Sequence, residues 1–436
     1  GGESKTRLAH NKVLDTNGCG AIVGECAQVT LEGNVIDGNH VNGIQVGHRA
    51  RPTVRGNIIE GSKGSGIVVY DKAAGLYVNN KVSRCTLACV GVRDKAEPHL
   101  LGNTIFDGGG SGVVSVGSAE FVMEGNTVSG HAGAGMKVQG MSKPLVDGNR
   151  FCNNLAYGVW VQDESSVTLQ NNTMEGNIKV GLLVSHLAEP FVSNNTIKDN
   201  KHTGVILQNF AGGEFRDNQI CNNGANVQLL NGCNALFEGN TIRGAPGGGV
   251  LFRNETTCTL RKNMISDNGF ANLAVMHSAN PTVENNDIRN GSERGIHIHC
   301  EARGFYSGNR VTRNGTQGIF IGGKAAPAVT RNHVEANGGC GIMVSREAGG
   351  RVVDNRLQGN KYDSVQTAES ATTELSGNQA LPVPRIGPLC PPHAGRLSNS
   401  DSFVMIQNPF AKAAGLCIGD GSRGRRSSLI GTPTVY

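Results

Sequence analysis

The sequence predicts an all-β chain, wound as a right-handed, single-stranded parallel β-helix of about 16 coils of about 23 residues each, with an irregular C-terminal tail. Three observations predict it. An Asn recurs from Asn11 to Asn378 in sixteen steps. Fifteen of these equal the interval from Asn11 to Asn34, and one, Asn218 to Asn240, is a single residue shorter. Aliphatic columns recur in the same step. Glycine supplies 63 of 436 residues while aromatics supply 5%, a composition that costs helix stability at every internal site and suits short strands and tight corners.

Within each repeat the order of elements follows from residue type. A Pro marks the entry to the first strand in many copies (Pro52, Pro98, Pro144, Pro190, Pro281, Pro327). An inward residue sits three places before the Asn, as in Leu31, Val54, Tyr77 and Leu100. The Asn then holds a corner, where its amide can donate to one coil and accept from another. A weaker Asn column follows five residues on (Asn39, Asn154, Asn177, Asn200, Asn223, Asn268, Asn314, Asn337, Asn360). The last strand opens on Gly and carries two aliphatics around an outward residue, as in Gly43-Ile44-Gln45-Val46 and Gly318-Ile319-Phe320-Ile321; Cys89, Asn226, Asn272 and Ser364 replace that Gly. Segments this short cannot bury themselves, so coils must stack, about 4.8 Å apart. Four inward side chains per coil are expected, and the hand follows from the crossover rule.

Residues 1–378 are expected to form the β-helix, and 379–436 a Pro-containing cap and a basic extended tail. Leu8 already occupies a strand column, so further coils, a cap or a partner are expected ahead of Gly1. The tail holds six Lys/Arg against Asp401 and Asp420, which leaves +4 of the chain's +5 there. A short helix is expected from Asn408 to Gly415. No run of about 18 apolar residues exists, so no membrane span is expected. The twelve cysteines are scattered, none a whole repeat away from another and none in a Cys-x-x-Cys. That pattern fits a reducing compartment, and an intracellular, cytoplasmic or cytoskeletal location is expected.

Three places could carry function. His48, Asp71 and Asp94 fall in one column of successive coils, with Arg49, Lys72 and Lys95 beside them. They are the catalytic candidates, since carboxylates and basic groups on an outer face can move protons; the plainer alternative is a solvated polar turn. His297, His299 and Cys300, with His277 one coil earlier, have the residue types of a zinc site, against a plainer reading as surface histidines. The outward column includes Val114, Trp160, Leu183, Ile206, Leu251, Phe320 and Met343. It reads as an exposed apolar stripe for protein binding, joined by Arg423, Arg425 and Arg426 of the tail. The alternatives are that the tail covers the stripe or that it has no role. No cofactor is expected, and nucleic acid is not an expected partner.

The copies Asn280-Pro-Thr-Val-Glu-Asn-Asn-Asp-Ile288, Gly295-Ile-His-Ile298 and Gly318-Ile-Phe-Ile321, with Pro-entry copies often alternating with Gly ones (Gly304, Gly350), resemble the carbohydrate-binding and hydrolase type of β-helix repeat. They look closest to the β-helix of F-box only ubiquitin-ligase substrate receptors, a pattern shared by Shc-binding spindle proteins and bacterial periplasmic maturation proteins. The resemblance covers residues 8–378. It implies a recognition scaffold in the eukaryotic members and polysaccharide enzymes in others. The expected function is therefore a non-enzymatic scaffold or adaptor that binds other proteins in a cytoskeletal, ciliary or ubiquitin-ligase assembly. The alternative is a carbohydrate-active enzyme, a polysaccharide lyase, epimerase or hydrolase.

Overall fold

The computed structural model describes residues 4–362 and 365–381. Within them fifty short strands form three parallel sheets of 17, 17 and 16 strands, and there is no helix. One coil shows the plan. Thr53–Arg55 lies in sheet 1, Ile58–Glu60 in sheet 2 and Ile67–Val69 in sheet 3. Each pairs with its counterparts one coil before and after, as Val54 with Leu31 and Tyr77, and Ile67 with Val90. The expected β-helix is thus the observed fold, and its last described strand is Gln379–Leu381, paired to Arg356–Gln358. The tail, including the helix expected at 408–415, Arg423, Arg425 and Arg426, lies outside the described residues, as does Ser364.

The single shortened step has a location. Asn200 still meets Asn223 at the full interval, but Thr203 pairs with Ala225, one residue short of it. The missing residue is lost at the corner around Gly224, between elements, so no strand slips register and no core column changes face.

Five side chains per coil point inward, not four. In one coil they are Ala50, Val54, Ile59, Ile67 and Val69, all at most 1% exposed. The fifth column, Ala27, Ala50, Ala73, Ala96, Ala119 and onward, sits at the return corner after sheet 3, where only a small side chain fits. Its polar members satisfy themselves locally. Ser142, Cys233 and Thr256 each donate to the carbonyl three residues earlier, Gln139, Leu230 and Arg253 respectively. Such a bond removes the cost of burying the polar atom.

The Asn column is a continuous hydrogen-bonded ladder of sixteen rungs, from Asn11–Asn34 to Asn355–Asn378. At Asn57, Nδ2 donates to Asn80 Oδ1 at 3.0 Å and to the Leu31 carbonyl at 2.9 Å, while its backbone N–H donates to the same Asn80 Oδ1. Each buried amide thereby ties three coils together.

From Gly108 to Asn360 the second ladder is discontinuous in sequence but continuous in space. His131 stands in for an Asn, accepting at Nδ1 from Gly108 N–H and donating from Nε2 to the Ile105 carbonyl. Ala245 and Gly291 are gaps in the column. Asn226 and Asn272, which replace Gly in the preceding coil's sheet 3 entry, swing into those gaps. Asn226 Nδ2 donates to Asn268 Oδ1 and Asn272 Nδ2 to Asn314 Oδ1, each bond bridging almost two coils of sequence. Cys89 does the same over Gly108, with its Sγ 2.9 Å from where a Cβ would stand. Each of these departures from the Gly column is thus paired with a gap at the second Asn corner of the following coil.

This pairing makes a stability prediction. A Cβ at Gly291 would sit 2.7 Å from Asn272 Nδ2, so Gly291→Asn alone should destabilise. Asn272→Gly alone should also destabilise, by roughly 1–3 kcal/mol, because it strands buried partners. The double variant should recover most of the loss. A double-mutant cycle by chemical denaturation that shows simple additivity would refute the coupling.

Candidate functional site

The outer face of sheet 3 differs from the other two. Along sheets 1 and 2, acids and bases both occur and several stacked pairs neutralise one another. Glu32 is held by Arg7 and Arg55, Glu175 by Arg150 and Lys198, and Glu238 by Arg216, Arg261 and Lys262. Hydrogen bonds from Arg55 and Arg7 pull the Glu32 carboxyl down to about 2. On sheet 3 the outward columns that run through Gln45 and through Gly47 contain no Asp or Glu among the described residues. The cations there, Arg93, Lys137 and Arg253, and Lys179 at the strand entry, have no described carboxylate within 4.0 Å. Two of them meet aromatics instead: Lys137 Nζ lies 4.3 Å from the Trp160 ring centroid and Lys179 Nζ 5.7 Å from Tyr157.

At one end of this face His48, Asp71 and Asp94 occupy the turn that leaves sheet 3. All three have left-handed backbone, with φ of 52°, 48° and 51°, and so do Arg49, Lys72 and Lys95. Two consecutive left-handed residues favour short polar side chains or Gly at the first position. The structure joins two of the three candidates: His48 Nδ1 and Asp71 Oδ2 are 2.8 Å apart, with side chains 60% and 50% exposed. Asp94, one coil on, is exposed and outside that pair.

Sequence reasoning missed the third member of the group. Tyr70 packs edge-on against His48, with centroids 5.6 Å apart and planes at 72°. Its hydroxyl accepts from Gln45 Nε2 at 3.2 Å, so its own proton stays available to a ligand. Gly47 makes this possible, because a Cβ there would overlap the Tyr70 ring. Arg93 follows Tyr70 in the same column, its Nε lying over the bare Gly91. Sorting charges by column, rather than by neighbourhood in sequence, is the signal that could have found this face.

The metal candidates do not assemble. His297 is fully buried, wedged between the rings of Phe320 at 5.3 Å and His299 at 5.7 Å. His299 Nδ1 lies 3.2 Å from Cys300 Sγ. His277 and Cys300 share an open cavity of about 390 Å³ with Ser278, Glu301 and Lys324, which His297 does not line. Among the described residues no three His, Cys, Asp or Glu side chains are arranged to hold a metal ion. Alternation correctly places both histidines on one face, but stacking of Phe320 from the next coil covers one of them.

The apolar stripe is less open than its outward direction suggests. Leu183 is 6% exposed, and Val114, Trp160, Ile206, Leu251, Phe320 and Met343 are half-buried. Neighbours above and below cover part of each side chain, so the column is only partly open to solvent.

Comparison with known proteins places this architecture. A family model described as "Right handed beta helix region" matches residues 1–151, 137–243 and 225–380. No curated protein sequence matches the chain. Among solved structures, the periplasmic alginate epimerase AlgG is similar at 11% identity and TM-score 0.39, over 83% of this chain and 78% of that one. The A-module of Azotobacter vinelandii mannuronan C-5 epimerase AlgE6 is similar at 13% identity and TM-score 0.37, over 81% and 91%. A GH136 lacto-N-biosidase from Eubacterium ramulus matches at 10% identity and TM-score 0.29, over 81% and 62%. These likenesses are of fold. Their names are those of epimerases and a biosidase and none is that of an adaptor; the expectation of a non-enzymatic protein-binding scaffold finds no support and is not carried forward. The expected intracellular, cytoplasmic or cytoskeletal location is corrected as well, because its premise fails physically. The thiols are dispersed because the coil geometry uses them as core and ladder fillers, as at Cys89 and Cys233, which says nothing of redox compartment.

One buried group sets a pH dependence. Burial, with help from Arg294 and His299, pulls His297 from 6.5 down to about 3. Between those values the unfolded chain binds the extra proton, so stability should be full above about pH 6.5 and fall as the pH drops toward 3. The slope should be at most about 1.4 kcal/mol per pH unit. His297→Leu should flatten that part of the profile in urea titrations at pH 7 and pH 5; an unchanged slope would place the titration elsewhere.

Proposed function

The chain belongs to the right-handed β-helix family, and from that premise we propose that it is a carbohydrate-active protein that lays an acidic polysaccharide along sheet 3 and takes a proton from it at His48. The observation that carries the reading is the division of charge. The two outward columns of sheet 3 hold no Asp or Glu among the described residues, and Arg93, Lys137, Lys179 and Arg253 on that side have no described carboxylate within 4.0 Å. Sheets 1 and 2 carry both signs, with Glu32, Glu175 and Glu238 each holding two or more cations, although Lys12, Lys81, Arg243 and Arg356 stand outside such pairs. An extended polyanion with sugar rings supplies both the charge and the flat apolar faces that this surface lacks. The finer likeness to F-box receptors is a likeness of coils and brings no ligase role with it.

The chemistry at the end of the face follows from its groups. Asp71 holds His48 by its Nδ1, which leaves Nε2 as the atom that accepts a proton. A uronate C5–H is acidic only when the adjacent carboxylate is neutralised, a role suited to Arg93. Loss of that proton to His48 gives an enolate-type carbanion. Expulsion of the 4-linked oxygen, protonated by Tyr70, cleaves the chain by elimination; return of a proton on the opposite face inverts C5. Both outcomes begin with the same proton abstraction.

The test reads that shared step. Incubation with polymannuronate or polygalacturonate in heavy water should place deuterium at C5 or yield an unsaturated, ultraviolet-absorbing end. His48→Ala should lower the rate by about 10²–10⁴-fold and Tyr70→Phe should slow it as well. Absence of both deuterium uptake and unsaturated product across acidic polysaccharides would overturn the enzymatic part of the reading.

A further inference from the structure

Four strands in the middle of sheet 3 are longer than the rest. They span Tyr157–Val161, Val180–Ser185, Thr203–Gln208 and Ala225–Leu230, five or six residues each, against three or four elsewhere in the sheet. The face is therefore widest there, and at its edge stand Tyr157 and Trp160. Their rings meet at 62° with centroids 5.5 Å apart and make an angled corner. Ser185 Oγ accepts from Trp160 Nε1 at 3.3 Å and fixes that ring from the next coil.

We propose that Tyr157, Trp160, Lys137 and Lys179 form a stacking subsite for an acidic sugar unit, with the rings taking the pyranose face and the lysines its carboxylate and that of a neighbour. This rests on the acidic-polysaccharide reading but concerns a place about five coils, or roughly 24 Å, from His48. Lys137 precedes Trp160 in the outward column and is paired with it across the sheet. Partial burial lowers its pKa, and Asp163 is the acid whose field opposes that shift. The Asp163 carboxylate is itself occupied by the Gly140 N–H and Gln162. A half-desolvated ammonium that rests on an indole and has no described carboxylate within 4.0 Å gains by exchanging the ring for an anion. As it swings to the ligand carboxylate, it clears the Trp160 face for the sugar.

Spacing selects the polymer. Arg93, Lys137 and Lys179 lie two coils apart in turn, about 10 Å at a coil rise of ~4.8 Å. In a two-fold ribbon of uronate units, every second carboxylate faces the same side, which gives a sparse row of charges. A nucleic acid strand carries one charge per ~3.4 Å and calls for a denser row of cations.

Trp160 is the only tryptophan in the chain, so the subsite contains its own reporter. Titration of the full protein with oligouronates should give a saturable change in tryptophan emission whose midpoint matches calorimetric binding. Trp160→Ala should weaken that binding about 10- to 100-fold, and Trp160→Phe less. Lys137→Gln with Lys179→Gln should remove the preference over a neutral glucan. Circular dichroism and the unfolding midpoint identify any variant that fails to fold. If oligouronate binds by calorimetry, yet emission and the Trp160 variants are unaffected, the subsite is refuted while the acidic-polysaccharide reading stands. Equal affinity for neutral glucan in the wild type refutes the role of the lysines. Tighter binding of single-stranded DNA, with the same sensitivity at Trp160, refutes the ligand class. No binding of any acidic polysaccharide refutes both proposals.

Discussion

The buried amide of each corner Asn is the constraint on which the rest of the rod depends. It must donate forward and backward along the axis at once, and it can do so only if the coils above and below present an oxygen at the same place. A single residue added within a strand would break that match and turn core columns outward. Register is thus enforced sixteen times over by groups that are costly to leave unpaired in the interior. The one shortened coil obeys the rule, because its residue is lost at the Gly224 corner and Asn218 still reaches Asn240 at 2.9 Å.

The second ladder shows how far that constraint reaches into sequence choice. A missing Asn at Ala245 or Gly291 is tolerated because another amide enters from the sheet 3 entry of the coil before. His131 fills its rung with an imidazole that uses one nitrogen as acceptor and the other as donor, the same pair of roles that an amide plays. What is preserved is a donor and an acceptor at a point in space, not a residue type at a position in the sequence. The same holds at the return corner, where Ser, Thr and Cys replace Ala only with a local carbonyl to receive their proton.

Much of the fold is readable from the sequence because the coil repeats in phase: the Asn interval, the inward columns and the strand order all follow from periodicity alone. The alanine corner escapes such a reading because small residues carry little hydropathy contrast, and their signal is one of volume. The face is harder to read than the core. Alternation assigns direction, and it correctly turns Leu183 and His297 outward. Direction is not exposure, however, because in a stacked sheet each outward side chain is roofed by those one coil away. Tyr70 is invisible for a related reason. Its partner His48 lies almost a full coil away in sequence, and their contact depends on a bare Gly47 beneath the ring.

A stacked coil also changes what a binding surface can be. Its outward columns form a lattice with one site per coil, so charges and rings can be spaced only in whole coil steps. On sheets 1 and 2 acids and bases share that lattice, and at places such as Arg216, Glu238 and Arg261 opposite signs in neighbouring coils close their attraction within the rod. On sheet 3 the steps between cations are two or three coils and the intervening positions are amides, aliphatics and aromatics, so attraction stays open toward solvent. Because these outward positions lie off both ladders, they can vary without disturbing the register that holds the coils. Selection can therefore tune the face for the repeat of a linear ligand while the Asn column keeps the rod unchanged.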